Sequence, residues 1–184
     1  MQLATDIMVF LPYTPRADSD ARGYDQWLRE VDAPFFNSVP GILHYSNWKV
    51  SSPAPGAFTH FDFMYLDSAL ADGVWTNQFV IEFASGWTET WGIDPKAEDL
   101  SVNYNSYRLK RLSGLSLFSP DGVRIAGAAA ASPRFGGAVW EVEHPMVGSS
   151  PTPFYELAFG AGVAAAAGGP ADSLTGTIIA APGL

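Results

Sequence analysis

The stretch FTHFDFMYLD, residues 58–67, limits the fold more than any other segment. It reads as a β-strand, and strand side chains alternate between two faces. Thr59, Phe61, Phe63 and Tyr65 point one way; His60, Asp62, Met64 and Leu66 point the other. The aromatic row needs only a core. The other row holds an imidazole beside a carboxylate, and such groups need a partner, water or a chemical role once buried.

The rest of the first part is organised around that strand. Residues 5–13 are apolar and of strand length. Residues 23–39 carry an apolar stripe at Tyr24, Trp27, Leu28, Val31 and Phe35, the spacing of an amphipathic helix, with a break or kink expected at Pro34. Residues 41–50 read as a strand joined through the turn-rich SSPAPGA (51–57) to 58–67, a hairpin with a long loop. A second helical stripe covers 73–92, and 102–112 reads as a strand. The order is β-α-β-β-α-β, the pattern of a ferredoxin-like α+β unit.

After Gly114 the composition changes. Residues 115–184 contain 11 Gly, 15 Ala and 7 Pro but only seven charged residues. Residues 137–146 and 176–183 look like strands, and 154–169 like a short helix or coil. A disordered tail would be more charged and less apolar. The expected division is therefore a domain at 1–114 and an ordered Ala/Gly/Pro-rich extension at 115–184 packed on it.

The chain of 184 residues is 47% hydrophobic, with a net charge of −9. That balance offers no basic patch for a nucleic acid and disfavours anionic membranes. No run of about 20 apolar residues is present to span a bilayer. The cysteine-free sequence, whose opening MQLATDIMVF lacks a basic start and a long apolar run, leads to the expectation of a cytoplasmic protein.

The segment YDQWLREVDAPFFNSVPGILHYSNWKV, with Trp27, Pro34, Pro40, Gly41 and Tyr45, resembles the EthD-like branch of the dimeric α/β-barrel superfamily. Asp32 stands where that branch carries a His. FTHFDFMYLDS is also similar to a strand of the stress-responsive A/B-barrel and polyketide-cyclase branch, in which a His faces a pocket; His60 matches that place. The resemblance covers residues 5–113. It implies a ferredoxin-like dimeric α/β barrel, two sheets facing each other across a homodimer axis with helices outside.

Pairing 41–50 with 58–67 about a turn near residue 54 sets His60 near Trp48, Asp62 near Ser46 and His44 opposite Met64. If 5–13 lies alongside, Asp6, Met8 and Phe10 join the same face. Two imidazoles and two carboxylates then meet in an aromatic cleft, where an Asp fixes a His tautomer and tunes it for proton transfer. The expected function is a cofactor-independent cyclase, isomerase or lyase acting on a small hydrophobic, aromatic or polyketide-like molecule. His60 would be the base, oriented by Asp62 or Asp6, with His44 as acid. Trp48, Met8, Phe10, Met64 and Trp27 would line the substrate, and Arg108 would hold an anionic group. Three readings compete: each His is a satisfied core residue in a binding protein for an apolar ligand; His44, His60 and Asp62 bind a metal; or the chain is a metal- or haem-assisted oxygenase. Asp32 reads as a solvated residue at a helix end.

Overall fold

The computed structural model describes residues 1–52, 58–92, 104–163 and 173–184. Residues 53–57 of the SSPAPGA connection, 102 and 103 at the start of the last strand expected in the first part, and 164–169 of the 154–169 segment lie outside these residues. The described residues form eight strands: β1 (Ile7–Tyr13), β2 (Ile42–Ser52), β3 (His60–Leu66), β4 (Ser106–Ser113), β5 (Val123–Ala128), β6 (Ala138–Val147), β7 (Phe154–Phe159) and β8 (Leu174–Ala180). They pair antiparallel in a closed ring, β1-β3-β2-β8-β5-β7-β6-β4.

This corrects the expected class. The protein is a mostly-β closed barrel made by one chain, and not a ferredoxin-like dimeric α/β barrel. Strand and helix follow one another over 7–113 in the order read from the sequence. What the resemblance could not supply was the other half of the wall, because it stopped at 113. Residues after 114 contribute β5 to β8. The segment from 154 begins as a strand, with Tyr155 and Leu157 turned to the barrel interior between outward residues, a period of two that the surrounding Gly and Ala obscured. The aromatic face for which a partner subunit was expected is covered by the chain's own later strands, which removes that ground for a homodimer.

The ring has an internal regularity. The first four strands pair in the order β4-β1-β3-β2 and the last four in the order β8-β5-β7-β6, so each strand of one half has a counterpart four places on. The halves differ in what joins their strands. The first half carries helices: a 3₁₀ turn (Asp20–Arg22), α1 (Tyr24–Trp27), a π-helical turn (Leu28–Asp32) and α2 (Ala33–Ser38) after β1, then α3 (Ala71–Thr76), α4 (Gln78–Trp87) and a second π-helical turn (Thr88–Gly92) after β3. No helix among the described residues is long and apolar enough to cross a membrane.

Two apolar layers result. The barrel interior is filled by Met8, Phe10, Trp48, Phe61, Phe63, Tyr65, Leu109, Trp140 and their neighbours, a packed core and not a channel. Gly176 of β8 leaves the room that the Phe61 ring occupies: a Cβ there would collide with Phe61 Cζ. The second layer lies outside the ring, between β1, β3 and β2 and the helices, and includes Val9, Leu11, Tyr13, Tyr24, Leu28, Phe36, Tyr45, Met64 and Val74. Every residue of β3 is buried because one face looks into the barrel and the other at the helices.

The register separates residues that the sequence reading had grouped. Trp48 pairs with Phe61, Ser46 with Phe63 and His44 with Tyr65, while Asn47 pairs with Asp62 and Lys49 with His60. On the other side Leu11 pairs with Asp62 and Tyr13 with His60. The expected pairing was one residue out, and a one-residue slip exchanges the faces of a strand.

The helix of residues 24–38 runs past Pro34 without breaking. Proline cannot donate to the carbonyl four residues back. The strain is taken by the π-helical turn just before it, where Ala33 N–H bonds to Leu28 O. Gly41 then admits the turn into β2, with φ at 94° and Leu70 Cβ 3.0 Å from where a side chain would begin.

Candidate functional site

The π-helical turn brings Asp32 to the sheet. Along the helix every fourth residue, Tyr24, Leu28, Asp32 and Phe36, faces inward and is buried, while Val31 is exposed. Asp32 therefore lies on the buried stripe and is only 3% exposed; it is not the solvated residue the sequence suggested.

Opposite it stand Tyr45 and Asn47 of β2 and Asp62 of β3, on the helix-facing side of the wall. Tyr45 is held in place by Asn37 of α2. Before β8 pairing begins at Asn47, the Asn37 amide stands in for a strand: its Oδ1 accepts from Tyr45 N–H at 2.9 Å and its Nδ2 donates to Tyr45 O at 3.0 Å. Tyr45 Oη lies 2.8 Å from Asp32 Oδ2 and 2.7 Å from Asp62 Oδ2. Asn47 Nδ2 donates to Asp32 Oδ2 at 2.8 Å and to Asp62 Oδ1 at 3.0 Å. Tyr13 Oη donates to Asp62 Oδ1 at 3.2 Å.

Proton counting decides the state of this group. Tyr45 has one hydroxyl hydrogen and two carboxyl oxygens against it. With both acids ionised, one of the two short contacts would set lone pair against lone pair. One carboxyl must therefore carry a proton and donate it to Tyr45 Oη. The electrostatics agree. Burial raises the pKa of both acids, and the charge of Asp32 raises Asp62 further. Hydrogen bonds from Asn47 and Tyr45 pull the other way, and Asp32 is held at about 6 while Asp62 stays well above its ordinary value. Both acids are thus held above the ordinary carboxylate range, which favours a proton shared within the pair.

This group forms part of the wall of a cavity of about 90 Å³. Phe36 of α2, Trp75 of α3, Phe83 and Trp87 of α4 and Tyr104 complete an aromatic lining. The indole N–H of Trp75 has no hydrogen-bond partner among the described residues.

The residues expected at the site are dispersed. Asp62 is in it. His60 shares the helix-facing side with Asp62, but Tyr13 stands between them, stacked on the His60 ring at 5.7 Å and bonded to Asp62. His44, Trp48, Met8 and Phe10 point into the barrel interior on the other face of the wall. His44 packs on Phe118 with ring centres 4.1 Å apart, and burial lowers its pKa to about 4. Met64 is packed in the outer layer. Asp6 accepts from Ser68 Oγ at 2.8 Å, away from the cavity. Trp27 stacks on Tyr24 and Phe83 behind the lining. Arg108 is bound to Asp72 and to Glu143, at 3.0 Å from the latter. His44, on the opposite face from His60 and Asp62, cannot join them around one metal ion.

Asp32, Tyr45, Asn47 and Tyr13 are not among the site residues expected from the sequence. The available signals were the four-residue repeat that places Asp32 with Tyr24 and Leu28, and the alternate row of β2, where Tyr45 and Asn47 flank Ser46.

Comparison of the chain with protein-family models, with curated proteins and with solved structures gives no match, so no family carries the EthD-like resemblance of residues 24–50 and the site stands on its own geometry.

Proposed function

We propose that the Asp32–Asp62 pair is an acid–base centre for proton transfer on a small aromatic molecule bound in the aromatic cavity. The observation that carries this reading is the single Tyr45 hydroxyl set between two buried carboxyls. A carboxylate and a carboxylic acid side by side supply a base and an acid at the same pH, the requirement for moving a proton from one position of a substrate to another. The reaction class is an isomerisation, cyclisation or lyase step initiated next to a carbonyl. The unpartnered Trp75 indole N–H is a donor for the substrate's oxygen. The absence of cysteine supports a cytoplasmic setting.

The test needs no knowledge of the natural substrate. Small aryl ketones are incubated with the protein in D₂O, and loss of the proton next to the carbonyl is followed by NMR. The wild-type chain should accelerate exchange of at least one ketone that fits the cavity. Asp62→Asn and Asp32→Asn should each reduce that acceleration by about 10²–10⁴-fold, the range for loss of a general acid or base. Ketones that bind, shift the Trp75 resonances and yet never exchange would replace this reading with that of a binding protein for apolar ligands.

A further inference from the structure

A second polar cluster lies on the far side of Tyr13 from the carboxyl pair. His60 begins β3 and is 3% exposed. One side of its ring is fixed: Nδ1 is 2.9 Å from Thr59 Oγ1. The ring is clamped between Tyr13, stacked on its face, and Tyr24, set against it edge-on at 5.6 Å. Its other nitrogen, Nε2, is buried and has no hydrogen-bond partner. The atom it faces is Asp25 Oδ1 of α1, at 3.9 Å, which is also buried and also unpartnered. Asp20, in the 3₁₀ turn before α1, brings a third donor, and the three ligand atoms all lie within 4.8 Å of one another.

Two buried polar atoms that face each other across 3.9 Å are too far apart for a hydrogen bond. A cation or a water has to satisfy them. The donor set decides between cations. Hard ions such as calcium and magnesium take oxygen ligands, whereas an imidazole with two carboxylates suits zinc and its transition-metal neighbours. Metal–ligand distances of about 2.0–2.2 Å require ligand atoms slightly closer together than they are here. Asp20 is exposed and Asp25 partly so, which leaves both side chains free to close on an ion. The Thr59 contact to Nδ1 is the outer hydrogen bond that metal-bound imidazoles need to fix ring and tautomer.

We propose that His60 Nε2, Asp25 and Asp20 form a binding site for a divalent transition metal of the zinc class, separate from the carboxyl pair. A ligating imidazole offers an unprotonated ring nitrogen, and with Nδ1 engaged by Thr59 the unpartnered Nε2 is the one available. Lys49, paired with His60 across β2 and β3, is the site's own competitor. Its Nζ lies 3.3 Å from the Asp20 carboxylate and 3.8 Å from Asp25. Its side chain is 41% exposed and swings into solvent when a metal takes its place.

The experiment is calorimetric titration of zinc into the full-length, chelator-treated chain, with long-range ¹⁵N NMR of the histidine rings on the same samples. The expected result is one equivalent taken up with a large shift of the His60 Nε2 resonance. Asp25→Asn, which removes a charged ligand, should weaken uptake by at least the roughly 10–100-fold that loss of a ligand's outer hydrogen-bond partner costs. Lys49→Met, which removes the competitor and touches no ligand, should tighten it. Absence of saturable uptake by the wild-type chain and by Lys49→Met overturns the proposal and leaves a water-bridged pair. Uptake that Asp25→Asn does not weaken, or that leaves the His60 ring unshifted, also overturns it, since the zinc would then sit elsewhere.

Discussion

Asp32 and Asp62 are joined through one hydroxyl: Tyr45 Oη lies 2.8 Å from the first carboxyl and 2.7 Å from the second. Replacing Tyr45 with Phe removes the bridge and leaves the ring. The anionic member of the pair loses a donor, so the pair should give up its remaining proton at higher pH than in the wild type. ¹³C NMR titration of the aspartate carboxyls, together with the pH profile of ketone exchange, reads the change. A titration that does not move would mean the hydroxyl takes no part in sharing the proton.

The pair also sets a sign for stability against pH. Carboxyls in an unfolded chain titrate near about 4, and burial raises both acids above that in the folded state. The folded protein thus binds the protons more tightly. The stability this confers is fully present below about pH 4 and is lost as pH rises through the folded value of Asp32, about 6, and through the raised one of Asp62. Asp62→Asn, neutral at every pH, should flatten this decline and melt higher than wild type at pH 8. Melting temperatures from pH 5 to 8 on both proteins decide it; parallel curves would contradict the assignment.

His44 acts in the opposite direction. Its pKa is lowered to about 4 by burial and by the nearby N-terminal ammonium, against about 6.5 when unfolded. Its contribution is present above about pH 6.5 and is lost as pH falls toward 4. His44→Met fills the same interior space without a charge to expel. The variant should resist acid better than wild type, by about 2–8 °C in melting temperature at pH 4.5, with little change at pH 8.

Gly176 tests the packed interior. An added methyl group would meet the Phe61 ring and Val123 Cγ1, the latter at 3.1 Å. Gly176→Ala should cost about 1–3 kcal/mol by denaturant unfolding, the usual range for overpacking a full core. A neutral result would mean that β8 does not close over Phe61 as described.

Local order was largely legible in the sequence. The alternation of residues 58–67 and the stripe of 23–39 led to the right elements at nearly the right places. Faces were harder, because the row bearing Phe61, Phe63 and Tyr65 and the row bearing Asp62, Met64 and Leu66 are both buried, and apolarity alone cannot say which looks inward. Long-range closure was hidden for another reason. In Val123–Ala128 and Phe154–Phe159 the strand signal rests on a few residues set among Gly, Ala and Pro, and their partners lie far along the chain. Asp32 was passed over because an acid near a helix end is commonly solvated, and only its four-residue spacing from Leu28 indicated otherwise.

The repeated strand order has a consequence for how the protein is made. Among the described residues, the completed ring gives every strand a neighbour on both sides. A ribosome that has released only the first 114 residues, however, presents a half-wall with two raw edges, β2 and β4, and a sheet of exposed Phe, Tyr and Trp rings between them. Such an intermediate is sticky in the way that draws chaperones or self-association. Because β2 has β3 on one side and finds its other neighbour in β8, the seam can be sewn shut only after residues 174–180 have emerged.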